Sequence, residues 1–297
     1  MAYSLKKPSE IFIAEQISID TYLESIRDKD IWKYRVKTIT SGFIREVEVY
    51  PVFKTPKAHI GAAAHKGNES SKAQKYLNYI NKVKYVTRLL NCNFWDKDMW
   101  ATFTYDNENL PTSEKQAQSN IKNYIRRLKA YIKKHGLPNL KYIYVTEYIE
   151  DSNKGGRVHH HIVMNFKDRD IAEKMWNKGN RKQTRRLQPD ENGLEGLARY
   201  ILKEGKDTET RKHSKSYFTS KGLEKPKETK SDYKITKRKV SNIAKDENGA
   251  KAIFETMNKG YKFNDLNVKY SEYVSGIYMY ARMKKAPVKN NKKKRRN

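Results

Sequence analysis

The chain has 297 residues, enough for one large domain or two ordinary ones, and it is 37% hydrophobic and 33% charged, so the core is modest and the surface crowded with charge. Lys and Arg number 63 against 34 Asp and Glu, a net of +29, an excess that points to an anionic partner: nucleic acid first, an acidic membrane surface second. No run approaches ~18 consecutive apolar residues, which argues against a membrane-spanning helix, and a single cysteine, Cys92, excludes an internal disulfide and a cysteine-based zinc site.

In chain order, residues 1–35 show no clear period, residues 42–54 alternate partly and predict a strand, 56–75 read as a loop, and 73–91 resemble a basic helix. The run MWATFTY at 99–105 predicts a strand. Ser113 is a helix cap with Gln116 in capping-box register, and Ile121, Ile125, Leu128 and Ile132 follow at helical spacing until His135, Gly136 and Pro138 stop the helix. Residues 140–149 and 157–166 are β-forming on either side of a turn at 150–156, an antiparallel hairpin. A short helix at 168–177, a polar strand at 181–188 and a helix at 191–204 complete the series. This order predicts an α+β fold, a ferredoxin-like split βαββαβ antiparallel sheet with helices on one face and the other face open for a ligand. Residues 205–240 are Lys-rich, 246–284 recover apolar residues, and 281–297 contain no acid and end in a basic cluster. The expected division is a basic N-terminal extension (1–95), a catalytic domain (96–205), an accessory segment (206–280) and a mobile, phosphate-binding tail (281–297).

Three of the seven histidines are consecutive. On a strand, residues two apart share a face, so His159 and His161 project to the open face, while His160 projects with Val158, Ile162 and Met164 toward the helices. Folding the hairpin brings Glu147 opposite His159. A His-His-Glu set suits Mn²⁺, Zn²⁺ or, with phosphate oxygens completing the shell, Mg²⁺. By residue spacing alone the alternative is a histidine-rich strand on a basic protein.

Tyr200 and Lys203 lie three apart on the 191–204 helix and share a face. A phenol is a weak nucleophile near neutral pH. A metal on the scissile phosphate lowers the nucleophilicity required, and an ammonium nearby favours phenolate. Spacing by itself leaves Tyr200 as one of 21 tyrosines, most of which serve packing.

Taken together, FTYD at 103–106, YVTEY at 144–148 with GRVHHHIV at 156–163, and ARYILK at 198–203 resemble the three motifs of HUH endonucleases, in particular the rolling-circle replication initiators of phages and small plasmids. The resemblance covers about residues 99–205, with a weaker echo at 217–226. It implies His159, His161 and Glu147 as metal ligands for Mg²⁺ or Mn²⁺, Tyr200 as the nucleophile with Lys203 beside it, and Thr104, Tyr105 and Asp106 as DNA-positioning residues. It further implies a 5′-phosphotyrosine intermediate, single-stranded origin DNA as substrate, and a bacterial cytoplasm in which a host helicase and polymerase act with the protein. The usual hydrophobic residue between the two histidines is here His160, and the second tyrosine of two-tyrosine members is replaced by Glu204, so a single-tyrosine enzyme is expected. Glu204 or Glu195 is a candidate for activating the water of a terminating hydrolysis. Arg181, Lys182, Arg185 and Arg186 precede the tyrosine helix and are candidate DNA contacts. No GxxxxGK[ST] loop is present, so no helicase activity is expected on this chain. A plasmid relaxase, a tyrosine transposase and a non-catalytic nucleic-acid-binding protein remain open alternatives.

Overall fold

The computed structural model describes residues 31–54, 72–147, 158–180, 182–202, 217–246, 249–271 and 274–287. They form two compact units, each with a five-stranded antiparallel sheet.

The first unit pairs sequence from both ends of the chain. Strands β1 (Ile31–Ser41) and β2 (Ile44–Phe53) join β8 (Lys227–Ser231), β9 (Tyr261–Ser271) and β10 (Val274–Lys285) in the order β8-β1-β2-β10-β9. Period-2 alternation puts Tyr34 and Val36, Val47 and Val49, and Ile277, Met279 and Ala281 on one face. There they pack with Val240 and Ile243 of α5 (Lys237–Lys245) and Phe254 of α6 (Ala250–Met257). On β1 the alternate positions carry charge: Lys37 pairs with Glu48 and Glu228, and Arg35 makes a bidentate pair with Asp232.

The second unit holds the central part of the chain. Its elements are α1 (Lys72–Asn93), β3 (Met99–Thr104), α2 (Glu114–Lys134), β4 (Tyr142–Glu147), β5 (His159–Met164), α3 (Arg169–Lys174), β6 (Lys182–Arg186), α4 (Glu195–Leu202) and β7 (Phe218–Thr219). From β3 to β6 this is the expected βαββαβ series. The sheet order β6-β3-β5-β4-β7 interleaves the strands of the two βαβ halves, as a split βαβ sheet requires. The start of α2 is capped as its sequence predicts, Ser113 Oγ accepting from the Gln116 N–H at 3.2 Å. The reciprocal arm differs: Gln116 Oε1 accepts from the N–H of Thr112, one residue earlier than a capping box would use.

One face of this sheet buries Met99, Ala101, Phe103, Ile162 and Met164 against Ile121, Leu128 and Trp176. The other face was expected to be open, and here the structure corrects the sequence reading. Ile143, Val145 and Val163 are buried on that side under Val83, Val86 and Leu90 of α1 and Leu194, Ala198 and Ile201 of α4. The reason is visible in β4, whose four central residues are all buried, the continuous pattern of a strand covered on both faces.

The expected division also differs from the two units. Helix α1, assigned to an N-terminal extension, packs in the unit that holds the histidines, whereas β1 and β2 share a sheet with strands from the far end of the chain. Residues 281–285 belong to β10 rather than to a tail, while 55–71 and 288–297 lie outside the described residues.

Candidate metal and nucleophile site

The strand register assembles the site. Pairing β4 with β5 sets Glu147 opposite His159 and Val145 opposite His161. Pairing β3 with β5 sets Thr104 opposite His159 and Thr102 opposite His161. Glu147, His159 and His161 therefore share the α1/α4 side of the sheet, as the period-2 reading required. Glu147 Oε2 lies 3.0 Å from His159 Nε2, and Oε1 lies 3.4 Å from His161 Nε2. The ligand-type atoms of all three residues fall within 4.8 Å of one another.

Their surroundings orient them. His161 is 2% exposed, and its Nδ1 is hydrogen-bonded to Thr102 Oγ1 at 2.9 Å. With the proton on Nδ1, Nε2 presents its lone pair toward Glu147, the arrangement by which a partner outside the cluster fixes a ligand's tautomer. Two neutral imidazoles and a carboxylate within ligand range form a donor set that fits a divalent cation.

His160 points the other way. It is fully buried, with Nε2 hydrogen-bonded to Tyr105 Oη at 2.7 Å and Nδ1 to Thr146 Oγ1 at 2.9 Å. Hydroxyls can donate or accept, so a neutral imidazole is satisfied at both nitrogens on an otherwise apolar face. Burial, reinforced by the flanking histidines, lowers its pKa to about 3. Folding thus favours the neutral ring. The contribution is complete above the ordinary value of 6.5 and is lost as the pH falls from 6.5 toward 3, because only the unfolded chain takes up the proton. Between pH 6.5 and 5 the loss should reach about 2 kcal/mol. Denaturant unfolding of wild type and His160→Gln across this range checks it: the wild type should lose that much more stability than the variant. Equal slopes would mean that the imidazole is not held neutral.

Tyr200 lies on α4 with 51% of its surface exposed. Its ring centroid is 5.4 Å from that of His161 and 5.4 Å from that of Trp100, edge-on to both. Helix α4 is anchored by α1, where Asn91 Oδ1 accepts from the Leu194 N–H at 2.9 Å. Gly193 has a φ of 75°, and a Cβ there would meet Asn91 Oδ1 at 2.4 Å, so this docking requires glycine. Beside Tyr200 a cleft of about 500 Å³ runs between Trp100, Arg185 and Leu197. Arg185 is exposed and opposite Trp100 in register.

The remaining candidates separate. Thr104 is half-buried on the histidine side. Tyr105 is 2% exposed, its hydroxyl is engaged by His160, and burial pushes its pKa up to about 12. It is a core residue, out of reach of DNA, which corrects the sequence reading. Asp106 Oδ1 accepts from the Asn180 N–H at 3.0 Å. It ties down a loop whose Gly179 approaches the Thr104 carbonyl so closely that a Cβ would fall 2.3 Å from the oxygen. Arg186 donates to the carbonyls of Lys97 and Lys167, a structural task, and Lys182 is half-buried at the sheet edge. Glu195 is paired with Arg199 one turn on, at 2.6 Å. Arg181, Lys203 and Glu204 lie outside the described residues. Sequence reasoning did not single out Trp100 and Thr102, although both share the parity of Thr104 on β3 and so the face of the histidines.

This α+β sheet, carrying a His-His-Glu cluster with a helix-borne tyrosine beside it, fits the HUH class of protein that the three motifs resemble. Residues 98–208, spanning β3 to beyond α4, match a family of replication-associated proteins, the ORF2 type, which supports a replication initiator. No curated protein and no solved structure matched the chain. No helix among the described residues is long and apolar enough to cross a membrane.

Proposed function

We propose that the protein initiates rolling-circle replication by nicking and rejoining single-stranded origin DNA, with Tyr200 as the sole nucleophile. The observation that carries this reading is the 5.4 Å approach of the Tyr200 ring to His161, within the segment that matches a replication-associated family. Glu147, His159 and His161 would hold a divalent cation, Mg²⁺ or Mn²⁺, which when bound supplies Lewis-acid polarisation of the scissile phosphate. Tyr200 attacks the phosphorus, its phenolic oxygen forming the new bond as the 3′ oxygen leaves. The 5′ phosphate stays on the protein and the freed 3′-OH serves a polymerase. Thr102 keeps the His161 imidazole in one tautomer. Arg185 contributes positive charge beside the cleft, where phosphates of the strand would pass. Lys203 follows one turn after Tyr200 and accompanies it in the motif that the chain resembles. With no nucleotide-binding loop in the sequence, unwinding falls to a separate helicase of the host.

The test is incubation with single-stranded DNA carrying the replicon's own origin, in Mn²⁺ or Mg²⁺, followed by a denaturing gel. A DNA-linked protein band should form with either metal and be absent in EDTA. No adduct with either metal would overturn the reading.

A further inference from the structure

The unit built on β1, β2 and β8–β10 lies outside the segment that matches a known family, and the proposed chemistry makes no use of it. At one end of its sheet, two large aromatic side chains stand in water: Trp32 is 58% and Tyr233 is 89% exposed. They are distant in sequence and meet through the topology. Strand β8 ends with Ser231 opposite Val36, and just past that point Asp232 reaches back to the first residues of β1. Asp232 binds Lys33 at 3.1 Å and Arg35 through both carboxylate oxygens at 2.6 and 3.0 Å. Held in this way, the Lys33 ammonium sits 3.7 Å from the centre of the Trp32 ring and 5.0 Å from that of Tyr233. The two rings are thus placed around one cation by an ion-pair network rather than by a hydrophobic core.

A single exposed aromatic residue needs no explanation, but two gathered on one pinned lysine form a platform. The chain around Tyr233, KETKSDYKITKRK at 227–239, carries six basic residues against two acidic ones, and Lys234, Arg238 and Lys239 are exposed. The core of a protein-docking patch is depleted in charge and in lysine particularly. Aromatic faces set among lysines are the arrangement that takes unpaired bases by stacking and their phosphates by charge. We propose that Trp32 and Tyr233 form a stacking grip for single-stranded DNA, separate from the Tyr200 site. Bases stack on the two rings and the neighbouring cations follow the backbone. The choice of DNA over RNA rests on the proposed function, whereas the stacking does not.

The full chain in EDTA, titrated into a fluorescein-labelled oligothymidylate of about 20 nucleotides and followed by anisotropy, tests this. Tyr233→Ala and Trp32→Ala should each weaken binding about tenfold, Tyr233→Phe should stay within about twofold of wild type, and duplex DNA should lose less than about twofold. Both rings are exposed, so thermal melting of the variants should match wild type. Alanine variants that bind as tightly as wild type, or that lose duplex binding equally, would overturn the grip. Tighter binding of an oligouridylate of the same length would overturn the assignment to DNA. Adduct formation at Tyr200 is read separately on gels at saturating DNA, so failure of the nicking reading and failure of the grip are distinguishable.

Discussion

A Tyr200→Phe protein is expected to bind single-stranded origin DNA like wild type yet form no covalent adduct, with nicking reduced by at least about a thousandfold. The substitution removes one oxygen and keeps the ring. Because the tyrosine is half exposed and its ring contacts are edge-on packing against Trp100 and His161, phenylalanine preserves the docking of α4 on the sheet. Any loss is therefore a loss of the nucleophile and not of the fold. Binding is read by anisotropy in EDTA and adduct formation on a denaturing gel with Mn²⁺. An adduct that persisted would place the nucleophile at another of the 21 tyrosines and leave the position of Tyr200 beside His161 without a chemical role. A non-catalytic nucleic-acid-binding protein would show no adduct in wild type either, so the pair of measurements separates that alternative as well.

The second large effect should fall on stability. Trp176 is fully buried at the end of α3. It stacks on Phe103 at 5.2 Å, meets Tyr105 and His160 edge-on, and donates from Nε1 to the Thr104 carbonyl at 2.7 Å. Trp176→Ala would empty the volume behind both strands that carry the site and orphan that carbonyl. A loss of about 3–5 kcal/mol is expected, measured as a fall in the denaturant midpoint at constant slope. Since Thr104 pairs with His159 on the far side of β3, the variant should also lose adduct formation at temperatures where it remains folded. A loss below about 1 kcal/mol would show that the neighbouring rings refill the space.

Much of the site was legible because strand geometry is local. The parity of His159 and His161, the packing role of His160 and the placing of Glu147 opposite His159 all follow from a period of two and one hairpin. The nearness of Tyr200 to that cluster came from motif resemblance, since helical spacing says nothing about which strand a helix covers. The covered second face was hidden for another reason. Tyr142 to Val145 reads as β-forming either way, and only the burial of Ile143 and Val145 beneath α1 reveals that both sides are occupied. The pairing of β1 with β8 and of β2 with β10 joins segments separated by most of the chain, a contact that composition and periodicity carry no mark of. Tyr105 was misplaced because its neighbours in FTYD alternate: Thr104 faces the histidines and Tyr105 faces the core.

Helix α1 precedes the segment that matches a known family, yet it supplies the Asn91 oxygen that receives the first turn of the tyrosine helix and the apolar cover for Ile143, Val145 and Val163. A fragment cut to 98–208 would begin with that cover stripped away. The inherited unit is accordingly longer than the recognisable motif. Across related proteins, changes at Leu90 or Asn91 should be matched by compensating changes at Gly193, Leu194 or Ala198, so the nucleophile's helix and a helix that carries no catalytic motif are expected to drift together.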